Sequence, residues 1–346
     1  MIRITRKNRG LDLRLRRVTQ KDVAQQAGVS QATVSMALNR HDPSLSKETN
    51  ARIAEAARQL GYVPNRFAQA LKTNRTMTIA CMVPDITNPF YPALMRGIQS
   101  VYEAQGYDVI AVNTDGAADR ESHFLNWSLQ GRVDGVIGVF WTLRATDFRP
   151  VVEGGVPVVR IESARKGTGD IPLDNIFVDS RAGSFAMVRY LVGRGHKRIS
   201  MIAGRGGPQQ TRVDGYTAAL TNAGGLADVV LDDQFNEEGG YRAAQIILAR
   251  KIRPTAIFAA NDLMAIGVMQ ALRDAGVSIP GDIAVAGFDD ISAARLVSPA
   301  LTTMAQFQHE VGIRAAETLM DRLKGKNPEK GTSLEMPFQL IEREST

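Results

Sequence analysis

Beyond Met77 the chain repeats one device: a short apolar run, a helix-length amphipathic stretch, then another apolar run. Nine such runs are legible: TIACMVP, YDVIAVNT, DGVIGVF, VPVVRIES, NIFVD, RISMIAG, DVVLDD, TAIFAAND and IAVAGFDD. Continuous apolar runs suit strands buried on both faces, and their alternation with helices at this spacing predicts parallel sheets covered on both sides. Nine strands exceed one small sheet. Two α/β lobes are therefore expected, the first over about residues 77–176 and the second over about 177–304.

The residues before this repeat differ in kind. Residues 1–75 hold 15 Lys+Arg against 5 Asp+Glu, a net +10, so a whole-chain charge of +6 leaves −4 for the remainder. A basic head on a mildly acidic body favours a polyanionic partner for the head, through phosphate neutralisation and counterion release. Residues 1–17, with Arg3, Arg6, Lys7 and Arg9 ahead of Arg14, Arg16 and Arg17, show no apolar period and read as a basic, disordered extension. From Val18 the pattern turns helical. Thr19 and Asp22 make a capping box, Val23, Ala24 and Ala27 an apolar face, and Gly28 a stop. Ser30 then caps a second helix that turns Val34, Ala37 and Leu38 inward and leaves Gln31, Ala32, Ser35 and Met36 on other faces. A third helix runs from Ser46 with Ile53, Ala57 and Leu60 on one stripe and ends at Gly61. Three short helices around a small core under a basic surface predict an all-α helix-turn-helix DNA-binding domain over residues 18–63. A protein-docking bundle is the alternative.

Next, GYVPNRFAQALKTNRT sets Pro64 before Asn65 at the start of a helix of about two turns, marginal alone. Residues 64–76 are thus read as a short helix and a linker to the first apolar strand, the segment that the resemblance given next makes a hinge helix. The ordered set VTQKDVAQQAGVSQATVSMALN, SKETNARIAEAARQLGYVPNRFAQALKT and IACMVPDITNPFYPALMRGI resembles the LacI/GalR family of transcription regulators, from about Val18 to the C-terminus. That resemblance implies a periplasmic-binding-protein-like pair of lobes for effector binding and dimerisation over residues 77–346. The chain would recross so that about 307–330 join lobe one and 331–346 lobe two. It further implies a homodimeric repressor on a pseudo-palindromic double-stranded DNA operator. Gln31, Ala32 and Met36 would face bases, Thr33 and Ser35 phosphates, with Thr19, Ser30 and Asn39 adding contacts. In the hinge, Leu71 would wedge into the central base step, flanked by Asn65, Arg66, Gln69 and Lys72. Such a wedge kinks DNA at a cost offset by the wider contact surface. The family commonly has arginine at Met36, where a bidentate contact to guanine is possible. Methionine leaves only apolar contact, as with a thymine methyl, which predicts an operator departing from the usual preference at that base pair. The alternative has Met36 filling the edge of the helix core.

Ligands of parallel α/β sheets collect at the carboxyl ends of strands. Asp85, Asn88, Phe90 and Tyr91 follow the first strand, Glu162 ends the fourth, Asn261 follows the eighth and Asp289 the ninth. Arg212 lies in TRVDGY and Gln306 on the last crossover. Carboxylate, amide and guanidinium groups converging with an aromatic ring suit a polyhydroxylated ligand. The resemblance implies a sugar, sugar acid, sugar phosphate or purine effector at these positions. It adds Asp179 at a helix start and Phe235 as an aromatic cover, for which capping and core packing are the plain alternatives. Glu162 and Ser163 stand where the family often has an Asp-Arg type pair, with Arg160 a candidate for the missing charge.

Enzyme readings fare worse. In AGRGGPQQ the third glycine of a dinucleotide fingerprint would fall at Gln209, and neither a P-loop nor G-x-S-x-G occurs. The four histidines and the single Cys81 show no metal or catalytic spacing, so no cofactor, metal or catalysis is expected. A sugar-binding protein or an NAD-dependent sugar oxidoreductase without regulatory role remains the alternative. One cysteine forbids an intrachain disulfide, and no apolar run approaches about 18 residues, so a cytoplasmic protein free of membranes is expected.

Overall fold

The structure, a computed structural model, describes residues 18–39, 45–64, 70, 73–326 and 329–346. Contacts divide the chain into a unit ending at Thr76 and one beginning at Met77.

In the first unit α1 (Gln20–Ala27), α2 (Gln31–Asn39) and α3 (Lys47–Gln59) enclose a core of Val23, Val34 and Ile53, all fully buried, closed by Ala24, Ala27 and Ala56. The starts are set locally. Asp22 accepts the Thr19 amide at 2.8 Å while the Thr19 hydroxyl accepts the Asp22 amide at 3.4 Å, and Ser30 Oγ accepts the Thr33 amide at 3.1 Å. Gly28 ends α1 at φ 65°, a left-handed turn that costs glycine nothing and brings α2 across α1.

The second unit holds two lobes. Lobe one is a six-stranded parallel sheet of β1 (Thr78–Val83), β2 (Asp108–Asn113), β3 (Gly135–Gly138), β4 (Val158–Glu162), β5 (Asp174–Val178) and β11 (Ser333–Met336), in the order β11-β5-β4-β3-β1-β2. Side chains of β1 alternate between two cores. Ile79, Cys81 and Val83 pack with Leu94 and Ile98 of α4 (Phe90–Glu103) and Leu319 of α11 (Gln308–Leu323), whereas Ala80 and Met82 pack with Leu125 of α5 (Ala118–Ser128) and Val151 of α6 (Arg149–Glu153). Burial pushes the Cys81 thiol up to about 12. Lobe two is a four-stranded parallel sheet of β6 (Ile199–Ala203), β7 (Val229–Leu231), β8 (Ala256–Ala259) and β9 (Ala284–Ala286) in the order β7-β6-β8-β9. Its faces are covered by α7 (Ser180–Gly193) with α8 (Gln209–Asn222), and by α9 (Glu237–Leu248) with α10 (Asp262–Asp274).

Three helix pairs close tightly because glycine lies at each contact. A Cβ on Gly97 of α4 would overlap the His309 carbonyl of α11, one on Gly215 of α8 the Arg181 carbonyl of α7, and one on Gly240 of α9 the Met264 carbonyl of α10.

The lobe boundaries depart from the sequence expectation. The break placed at about 176 falls inside β5, which continues to Val178 in the lobe-one sheet. Nor do residues 331–346 all belong to lobe two, as the resemblance implies: β11 pairs in parallel with β5. The second lobe is joined by β12 (Gln339–Ile341), antiparallel to β10 (Thr303–Ala305), and by the tail after it, where the Val285 amide donates to the Ser345 carbonyl at 2.8 Å. The physical reason is edge pairing. The outer edge of β5 offers unpaired backbone groups to the returning chain, with Ser333 opposite Asn175 and Met336 opposite Val178.

Candidate functional sites

Between the lobes lies a cavity of about 700 Å³, mouth included, at the carboxyl ends of the strands. From lobe one, the loop after β1 delivers Asn88, whose Oδ1 accepts the Phe90 amide at 3.0 Å and starts α4 so that Phe90 and Tyr91 face inward. Their rings meet edge to face at 5.2 Å. Burial, then the Asp289 charge, push the Tyr91 hydroxyl above its ordinary range, so it stays protonated.

From lobe two come Arg212 and Asp289. Arg212, 4% exposed, lies with its guanidinium 4.1 Å above the Phe288 ring and donates through Nη1 to the Ala260 carbonyl and through Nη2 to Asp289 Oδ1 at 3.2 Å. Its Nε has no partner. Gln306 donates to the same Asp289 oxygen at 2.6 Å. Asp289 has φ 124°, a region that non-glycine residues occupy only when their surroundings compel it. The compulsion is visible: its amide donates to the Met304 carbonyl at 2.8 Å and its carbonyl accepts from Gln308. Burial pushes the Asp289 carboxyl up to about 6, against the pull of Arg212 and Gln306. Behind it Asp262, wholly buried, accepts from the Thr303 hydroxyl at 2.5 Å and the Ile291 amide at 2.9 Å. Burial and the Asp289 charge push it up to about 7.

Glu162, the last residue of β4, is also buried. Its Oε2 pairs with Lys166 at 2.6 Å, while Oε1, 3.6 Å from Arg160, has no hydrogen-bond donor and lies at the cavity. Burial raises its carboxyl above the usual range, opposed by Lys166 and Arg160. Arg160 itself is committed elsewhere, to Asn175 at 2.8 Å and the Gly167 carbonyl at 3.2 Å, and does not line the cavity.

Eight of the eleven effector positions read from sequence line this cavity: Asn88, Phe90, Tyr91, Glu162, Arg212, Phe235, Asp289 and Gln306. Three do not. Asp85 lines the outer mouth, holding the Thr87 amide at 2.9 Å. Asp179 caps α7 through the Ala182 amide at 2.9 Å. Asn261 is fully enclosed, accepting the Met264 amide at 2.7 Å as the cap of α10 and donating to the Phe235 carbonyl at 3.1 Å, so it supports the wall from behind. Sequence reasoning passed over Trp141 and Lys166, which do line the cavity. Trp141 directly follows DGVIGVF, and Lys166 stands four residues after Glu162; those placements were the available signals. Among the described residues no cluster of three or more His, Cys, Asp or Glu side chains could hold a metal ion.

On the helical unit, Thr19, Ser30, Gln31 and Ala32 are exposed, Thr33 and Ser35 half-buried, and Met36 is 42% exposed and so not a core residue. Ser30 and Thr33 share a hydroxyl contact of 2.7 Å. The Asn39 side chain, the extension 1–17 and the hinge positions Asn65, Arg66, Gln69, Leu71 and Lys72 lie outside the described residues.

Known proteins match both units. Residues 19–65 fit the family model for bacterial regulatory proteins of the lacI family, and residues 188–346 that of a periplasmic binding protein-like domain. The ribose operon repressor of Escherichia coli K12 is 38% identical over 88% of this chain and 93% of its own. A lac repressor dimer bound to operator and an anti-inducer superposes with a TM-score of 0.83 at 26% identity, covering 95% of this chain and 99% of that one. A regulator of Enterococcus faecium with bound ribose gives 0.70 at 29% identity, covering 78% and 98%.

Proposed function

Since the chain belongs to the lacI family of bacterial regulatory proteins, we infer that this transcription regulator is a repressor whose hold on its operator is set by a pentose-type sugar in the cleft. One observation carries the ligand reading: Arg212 and Gln306 fix one oxygen of Asp289 at the cavity wall, while across it Glu162 holds out an oxygen without a donor. Hydroxyl groups supply the donors that buried carboxylate oxygens need, and the rings of Phe90, Tyr91 and Phe235 suit the apolar faces of a sugar. The ribose repressor and the ribose-bound regulator among its similar proteins support the pentose over the other candidates.

A ligand touching Asn88 and Glu162 in lobe one and Arg212 and Asp289 in lobe two favours whichever lobe arrangement brings them together. A second copy of the chain is needed for selectivity, because one helix reads too few bases; two linked heads gain effective concentration and a fixed half-site spacing. Effector and operator affinities are then reciprocally coupled. With DNA as partner the protein works in the cytoplasm, and among the described residues no helix is long and apolar enough to cross a membrane. The test is a thermal-shift screen of sugars, sugar acids, sugar phosphates and purines, followed by operator selection with and without the hit. Ribose or a related pentose should bind and change operator affinity at least tenfold; a tight ligand that leaves operator affinity unchanged refutes the coupling.

A further inference from the structure

Two chambers of the cleft share one wall. The inner chamber is the cavity just described; the outer opens at the cleft mouth and is lined by polar groups such as Asp85, Asp115, Arg205 and Asp233. Asn88, Tyr91, Trp141 and Phe235 line both. Trp141 comes from the loop after β3 in lobe one and Phe235 from the loop after β7 in lobe two, and their rings meet edge to face across the cleft, centroids 6.4 Å apart and planes at 75°.

The indole reaches this place because each lobe supplies a glycine beneath it. A Cβ on Gly207 of lobe two would lie 2.6 Å from the ring, and one on Gly116 of lobe one would overlap it as well. Its backbone is pinned too. The fully buried carboxylate of Glu121 accepts the Trp141 amide at 2.7 Å, the Thr142 amide at 3.1 Å and the Thr142 hydroxyl at 2.6 Å. A large side chain on a fixed backbone, seated against both lobes, cannot yield cheaply to a bulky group, because protein interiors repack only at a cost.

We propose that Trp141 is the specificity-determining partition of the cleft: it confines the effector to a single ring in the inner chamber and excludes the same ring bearing a substituent that must enter the outer one. This rests on the reading of the cleft as the effector site. The discrimination is steric, a clash built against the longer competitor rather than a contact added for the shorter.

The experiment is calorimetric titration of the full-length protein, Trp141→Ala and Trp141→Phe with matched pairs: ribose and methyl riboside, glucose and cellobiose, hypoxanthine and inosine. Far-ultraviolet melting curves check that each variant is folded, and Trp141→Phe keeps an aromatic ring should the alanine variant fail. The wild type should bind a bare ring at least a hundredfold more tightly than its substituted partner, and trimming the indole should cut that ratio at least tenfold, more in the alanine variant than in the phenylalanine one. The partition is overturned if the wild type binds a substituted form within tenfold of its ring, or if both variants keep the wild-type ratio. Binding of hypoxanthine in place of any pentose would sink the pentose reading alone, since the hypoxanthine and inosine pair would still judge the partition.

Discussion

Arg212 commits two of its nitrogens inside the protein, so its loss strands partners as well as removing the proposed ligand contact. In Arg212→Ala the Asp289 carboxylate would lose its only close cation among the described residues. Breaking one side of a buried charge pair costs about 3–5 kcal/mol. Effector binding by calorimetry should fall at least a hundredfold, and the melting temperature should drop with it. Asp262 makes a pH prediction. Its pKa is raised from 3.8 to about 7, first by burial and then by the Asp289 charge, so the folded state holds a proton that the unfolded chain releases. Stability from this group is therefore greatest below pH 4 and is lost as pH rises toward about 7. Asp262→Asn can still accept the Ile291 amide and donate to the Thr303 hydroxyl, so melting curves between pH 5 and 7.5 should slope downward more steeply for the wild type than for this variant.

Among elements, the glycines at helix contacts set the spacing of both lobes. Gly97→Ala presses a methyl into the α11 backbone, and overpacking of this kind costs about 1–3 kcal/mol. At about 2–4 °C per kcal/mol for a unit of this size, a calorimetric melt should register the change, while an alanine at Gly155, whose Cβ meets nothing, reports the backbone cost of its positive φ alone. In the helical unit, Met36→Arg should restore a guanine preference at one operator base pair in selection experiments; identical base preferences would remove Met36 from the reading face.

Elements were readable where their causes are local. All nine apolar runs became strands, and Thr19, Gly28 and Ser30 act where their chemistry placed them. The strand Ser333–Met336 is expected in lobe two and lies in lobe one, because nothing in four residues that are exposed or half-buried reveals that β5 has a free edge. The same limit governs the cavity. Asn261 and Asp179 were chosen by position, but only folding shows that their side chains are turned to the backbone as caps, while Trp141 acquires its place from glycines 25 residues before it and 66 after it, at 116 and 207.

At the scale of the whole molecule, residues 1–75 carry a net charge of +10 and the remainder −4. Operator affinity should fall steeply and linearly on a logarithmic salt axis, by about 0.9 in slope for each phosphate neutralised, whereas effector binding to the cleft should scarcely respond. Titrations of each ligand across salt concentrations separate the two. Reciprocity adds a check: whatever factor the effector imposes on operator affinity, saturating operator must impose on effector affinity.

The Glu121 carboxylate grips the backbone of residues 141 and 142 and the Thr142 hydroxyl, never the indole. The mount is thus independent of the tool it holds. Exchange of the side chain at this one position would change what the cleft admits while the loop keeps its path, so a new sensory range lies a single substitution away from the old.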